Sequence, residues 1–207
     1  AYFGSTTITA PKQLSYPGNI KFFGKINSTT GVASIIRSFI NIPVNFDCIT
    51  TDDGGNFYIG GAFVSTTDFD FGNGITIPAS AFKMGVIAKF NSSGNTLWAK
   101  TFAMGTLGSA SNQIFKLAVS NAGNVFFWGW NPSGNYPLYK LDSNGNTLWF
   151  KDGSGTRIGS SDGNYYLKDK FIDKDENVHL FVLNFGKTGF IFDGVEHPID
   201  NYSYGCS

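Results

Sequence analysis

The chain has 207 residues, and fifteen basic side chains balance fifteen acidic ones, so no global field draws it to nucleic acid or to an anionic membrane. Only 14% of residues are charged while 16% are aromatic and 26 are glycine, a balance that favours strands and tight turns over long helices. No run of eighteen apolar residues occurs, which excludes a membrane-spanning helix, and the length is enough to bury about 70% of the unfolded surface without metal or disulfide staples.

The chain opens on Ala-Tyr-Phe-Gly, with neither an initiator Met nor a signal-peptide pattern, and reads as a processed chain or a fragment. The first clear element is GKINSTTGVASIIRSF from Gly24, a hairpin whose first strand carries Lys25 and whose turn ends on Gly31. ITTDDGGNFYIGGAF from Ile49 follows, with turn formers before Asn56 and alternating apolar residues after it. The stretch KFNSSGNTLWAK at 89–100 then returns as KLDSNGNTLWFK at 140–151, identical at eight of twelve positions with an offset of 51. Between these copies lies LAVSNAGNVFFWGWN from Leu117, and beyond them KFIDKDENVHLFVLN from Lys170, so that Asn56, Asn124 and Asn177 correspond. A period near 50 built of paired hairpins predicts a radial array of small antiparallel sheets.

The predicted fold is therefore all-β, a β-propeller of four-stranded antiparallel blades. Residues 1–46 hold a partial blade, 47–104 a blade, 112–152 another and 163–207 an opening without a finish. FDFGNGITIP at 69–78 is paralleled by FIFDGVEHP near the end and by YFGSTTITAP at the start. The terminal segments could clasp into a closed four-bladed ring, but they duplicate one position rather than complement each other. The reading adopted is a segment of a larger propeller.

The pattern Asp/Ser-x-x-Gly-Asn, then Phe-Asp-Phe-Gly, then Ala-Lys-Phe-Asn-x-x-Gly-Asn-x-Leu-Trp-Ala resembles the seven-bladed β-propeller repeat family of bacterial exported and surface proteins. The match is densest over 47–103, at Asn56, Gly60, Phe69, Phe71, Gly72, Lys89, Asn91, Gly94, Asn95 and Trp98. It thins after 163, where Glu176 stands in place of the turn glycine. The resemblance implies an extracellular or cell-surface location and architecture rather than a reaction, since the family has no general catalytic motif. A seven-bladed member needs about 350 residues at this period. A composition rich in Asn, Phe and Gly, with Lys over Arg, adds the expectation of cargo for a bacterial type IX secretion pathway.

Candidate sites are few. Asp173, Asp175 and Asn177 space oxygen ligands as part of a calcium loop does, with Asp142, Asn144 and Asn146 a second such run, although turns use the same residue types. His179 and His197 accompany no nucleophile motif, and His179 reads as a structural residue on an alternating strand. Asp52, Asp53, Asp68 and Asp70 are carboxylates that a glycan hydrolase or lyase would need in pairs, but the first two fall in a repeated turn slot. Trp98 and Trp149 share a repeat position and are expected to fill the gap between blades. Trp128, Trp130 and Tyr136 occur once, and an exposed aromatic cluster there would stack on a sugar or anchor a protein. Cys48 and Cys206 form no CxxC pair; they bridge each other, or Cys206 pairs beyond the end of the chain. The expected function is a noncatalytic scaffold or binding module that meets protein or glycan partners through blade-rim loops. A glycan-active enzyme and a calcium-stabilised lectin-like module are the alternatives.

Overall fold

The computed structural model describes residues 2–3, 6–7, 20–40, 42–104, 112–130, 137–151, 165–184, 190–192 and 195–197, all of them strand, turn or irregular and none helical. Strands β1 (Tyr2–Phe3) and β2 (Thr6–Thr7) make a small hairpin, and β3 (Ile20–Ile26) pairs with β4 (Ala33–Ile40) to form the first unit. The second unit runs β5 (Val44–Thr51), β6 (Phe57–Ser65), a small hairpin of β7 (Phe69–Asp70) and β8 (Thr76–Ile77), then β9 (Ser80–Phe90) and β10 (Thr96–Phe102). Its four long strands form an antiparallel sheet in chain order, with the small hairpin outside it. The third unit is a second four-stranded sheet, β11 (Gln113–Val119), β12 (Val125–Trp130), β13 (Leu138–Leu141) and β14 (Thr147–Lys151). The fourth contributes a long hairpin, β15 (Tyr165–Ile172) with β16 (Val178–Asn184), and a small one, β17 (Phe190–Phe192) with β18 (Val195–His197).

One turn closes five of the long hairpins. At Asp52, Asn91, Ser120, Asp142 and Asp173 the amide donates to the carbonyl four residues on, and the carbonyl accepts from the amide three residues on. That is a type I turn followed by one left-handed residue, a three-residue hairpin loop. The left-handed residue is Gly55, Gly94, Gly123 and Gly145 in four of them and Glu176, at φ 63°, in the fifth.

The second sheet is oily on both faces. Phe57, Ile59, Phe63, Val86, Ala88 and Phe90 pack with Phe39 of the first unit and with Phe71 and Ile77 of the small hairpin. The opposite face presents Tyr58 and Ile87 to Ile114, Leu117, Val125, Phe127 and Leu141 of the third unit. Strand alternation sends neighbours to opposite sides, so a strand that is continuously apolar, as FYIGGAF is, requires cover on both. The units therefore stack face to face, first on second and second on third. No described helix is long and apolar enough to cross a membrane.

The expectations for Trp149 and Trp128 are corrected, whereas Trp98 packs against the next unit. Trp98 is half-buried, and its indole N–H donates to the Ser143 carbonyl at 3.0 Å, inside the next unit's turn. Trp149, although it lies opposite Lys140 as Trp98 lies opposite Lys89, is 39% exposed. Its strand is the last of the third sheet, and among the described residues no second hairpin of a following unit stands against it. Trp128, expected on an exposed aromatic cluster, is 2% exposed because it alternates onto the same buried face as Phe126. Trp130 at the strand end is half-buried, and Tyr136 lies outside the described residues.

Candidate functional site

The polar chemistry gathers at the junctions between units. In the second unit the Asp52 carboxylate accepts from the Asn56 amide and side chain, both at 2.9 Å, and from the Tyr58 hydroxyl at 3.0 Å. The Lys89 ammonium stands 4.0 Å from the carboxylate and 4.9 Å from the centre of the Tyr58 ring. Burial pushes the Asp52 carboxyl upward, but the bonds from Asn56 and Tyr58 and the nearby Lys89 outweigh it and hold it below the ordinary range. Burial, and the bond it donates to Asp52, push the Tyr58 hydroxyl up, so it stays protonated.

The third unit has Ser120 where the second has Asp52, and so lacks the carboxylate. Glu176, from the turn of the fourth unit, supplies one. Its oxygens accept from Ser120 Oγ at 2.5 Å, Asn124 Nδ2 at 2.8 Å and Lys140 Nζ at 2.5 Å. The hydrogen bond from Lys140 first, then that from Ser120, holds the Glu176 carboxyl low despite its partial burial. The departure from glycine at 176 thus puts an acid at the same place in the cluster, reached from across the junction. In the sequence Glu176 stands out only as a missing turn glycine; its partnership with Ser120, which replaces the acid of the second unit, emerges from the structure.

The run Asp173, Asp175, Asn177 forms the fifth of these turns. Asp173 Oδ1 accepts from the amides of Asp175 and Asn177 at 2.9 and 2.8 Å, while Oδ2 accepts from Asn177 Nδ2 at 2.9 Å and lies 3.0 Å from His179 Nε2. The bonds from His179 and then Asn177 hold its carboxyl below the ordinary range. These donors occupy the oxygens that a calcium ion would use, and Asp175 instead faces the Lys174 ammonium at 2.8 Å. Asp142 is engaged in the same way by Asn144 and Asn146. Among the described residues no three His, Cys, Asp or Glu side chains are grouped so as to hold a metal.

Asp53 is exposed in the turn after Asp52, whereas two further acids are engaged locally. Asp68 accepts from the Ala79 amide at 2.8 Å and Asp70 from the Gly72 amide at 2.7 Å. Of the carboxylates singled out from the sequence, Asp52 and Asp53 line one pocket together with Lys25 and Ser92. Cys48 Sγ approaches the Ile114 carbonyl at 4.0 Å, and Cys206, named from the sequence as one candidate partner for it, lies outside the described residues, as does the side chain of His197.

What the structure brings together, and sequence reading missed, is an open groove of about 530 Å³. It is lined by Lys21 and Phe22 of the first unit, Asn45, Phe46, Asp47 and Lys83 of the second, and Gln113 of the third. Lys21 Nζ bonds the Val44 carbonyl and, at 3.0 Å, Asn45 Oδ1, while Lys83 Nζ bonds Gln113 Oε1 at 3.0 Å. Burial lowers the Lys21 ammonium and Asp47 partly restores it. Two ammonium groups oriented by amide oxygens, one carboxylate and two phenyl rings make a surface suited to hydroxyl-rich or peptide ligands. Asn45 and Gln113 hold the same place in the first strands of their units and each accepts from a lysine of the preceding unit, a contact between units that the pattern along the chain does not display. No protein-family model and no curated protein sequence matches the chain.

Proposed function

We propose that the chain is a noncatalytic segment of a β-propeller, the scaffold or binding module of an exported bacterial cell-surface protein, which meets protein or glycan partners through its rim loops. Its stacked sheets are read as consecutive blades of the seven-bladed repeat type, and type IX secretion as the export route. The observation that carries this reading is the second sheet, a four-stranded meander covered on both faces by its neighbours, as a blade inside a ring must be. The repeated carboxylates support a noncatalytic role, because turn donors and lysines engage them where a catalyst would leave them facing a substrate. The groove beside Lys21 and Lys83 is the rim surface best furnished for contact.

The test is a glycan and peptide array probed with the chain, followed by Lys83→Met and Phe46→Ala. Binding is expected to weaken about tenfold in each variant, the scale of one lost contact at a small-ligand site. Mass spectrometry of the captured glycans should show them intact. Cleaved or unsaturated products would overturn the noncatalytic reading in favour of the glycan-active one.

A further inference from the structure

The groove beside Lys21 and Lys83 is furnished almost wholly with hydrogen-bond donors. An ammonium can only donate, so the atom that Lys21 faces on Asn45, and the one that Lys83 faces on Gln113, must be the amide oxygen. Each amide therefore keeps its NH2 group for another partner. Among the described residues no acceptor meets those NH2 groups, and each ammonium retains an N–H beyond the bonds it makes. Against these donors stands the carboxylate of Asp47, which is exposed. Two ammonium groups and one carboxylate leave the lining positive. Lys89 and Lys140, in the junction clusters, instead face the acids Asp52 and Glu176. An acid at position 45 or 113 would orient its lysine equally well and cancel the charge, whereas an amide orients the lysine and leaves the charge for a ligand. Burial works against the Lys21 ammonium and Asp47 restores it only in part, so a further anion beside it is favoured.

We propose that this groove binds an acidic glycan, one whose uronic acid carboxylates and ring oxygens accept from Lys21, Lys83 and the side-chain amides of Asn45 and Gln113. This rests on the rim-binding reading and narrows its partner to an anionic sugar. A sugar is favoured over an acidic peptide because Lys21 already engages the Val44 carbonyl, a main-chain acceptor that a peptide laid along β5 would need. Phe46, half-buried in the lining, supplies an apolar ring against which the C–H face of a pyranose packs. A volume of about 530 Å³ shared by three units accommodates more than one sugar ring.

The experiment titrates the 207-residue chain by calorimetry with tetrasaccharides from pectate, alginate and hyaluronate, each beside its carboxyl-reduced, neutral counterpart. At least one acidic tetrasaccharide should bind, and reduction of its carboxyls should weaken it about tenfold or more, the scale of a lost charged contact. Gln113→Glu and Asn45→Asp keep the oxygen that each lysine uses but turn a donor into a repelling charge. Each should weaken the acidic sugar about tenfold or more without lowering the unfolding midpoint. Asp47→Asn removes the competing carboxylate and should strengthen binding about threefold, a gain that misfolding cannot imitate. Binding by none of the three, equal binding of the reduced sugars, or a Gln113→Glu chain that binds as the parent does would overturn the inference. So would tetraglutamate binding more tightly than every sugar, since the partner would then be an acidic peptide. If neutral sugars or peptides bind and weaken with Lys83→Met and Phe46→Ala, the rim-binding reading stands and only the acidic-sugar assignment fails. If no ligand responds to any variant in the groove, both fail.

Discussion

Glu176 shows how one side chain can justify an unfavourable backbone. A left-handed conformation costs a non-glycine residue about 1–2 kcal/mol, and the other four turns of this type use glycine. The return is a carboxylate with three donors across a unit junction, where loss of a charged hydrogen-bonding partner costs about 1–3 kcal/mol. Glu176→Gly is therefore expected to lower the urea midpoint despite relieving the turn. Ser120→Asp added to it should restore stability, because it recreates the arrangement around Asp52. In the parent chain the same Ser120→Asp places two carboxylates together and should destabilise. This reversal of sign is what a double-mutant cycle by denaturant titration would read.

At the scale of single strands and turns, close approach decides which residues are tolerated. A Cβ at Gly61 would overlap the Asn45 carbonyl across the β5–β6 pair, where the register shifts between Phe46 and Cys48. Because the obstacle is backbone, Gly61→Ala should cost about 1–3 kcal/mol or more, seen as a lower midpoint with an unchanged denaturant slope. Trp98 joins its strand to the following unit through Ser143, and its ring fills the space above Gly145. Trp98→Phe keeps much of the packing and leaves the Ser143 carbonyl with one donor fewer, so a loss of about 1 kcal/mol is expected. Trp149→Phe, at the same repeat position but exposed, should change stability by less than half of that.

For the whole molecule, stability resides in faces shared between neighbours, so a weakened junction is felt on both sides of it. Asp52 and Glu176 both have lowered folded-state pKa values. Their contribution is complete above the unfolded carboxylate range, about pH 4, and is lost as pH falls through the lowered folded values. Thermal melts should therefore be flat from neutral pH down to about 5 and fall steeply below about 4. Glu176→Gln should start lower at neutral pH and show a shallower acid limb; an unchanged limb would remove Glu176 from the junction.

The sequence by itself determined the local pieces. The 51-residue offset, the Asn positions and the turn glycines specify hairpins, since turn conformation and strand alternation depend on residues near one another in the chain. It also marked the all-β class. The tertiary structure decided what each piece faces. Trp98 and Trp149 share a motif but not a neighbour, Trp128 turned inward, and Glu176 acquired a purpose only when Ser120, Asn124 and Lys140 were set beside it. The groove, too, draws on residues from Lys21 to Gln113. Burial and ion pairing are properties of distance in space, and periodicity along a chain carries that information only where every neighbour repeats as well.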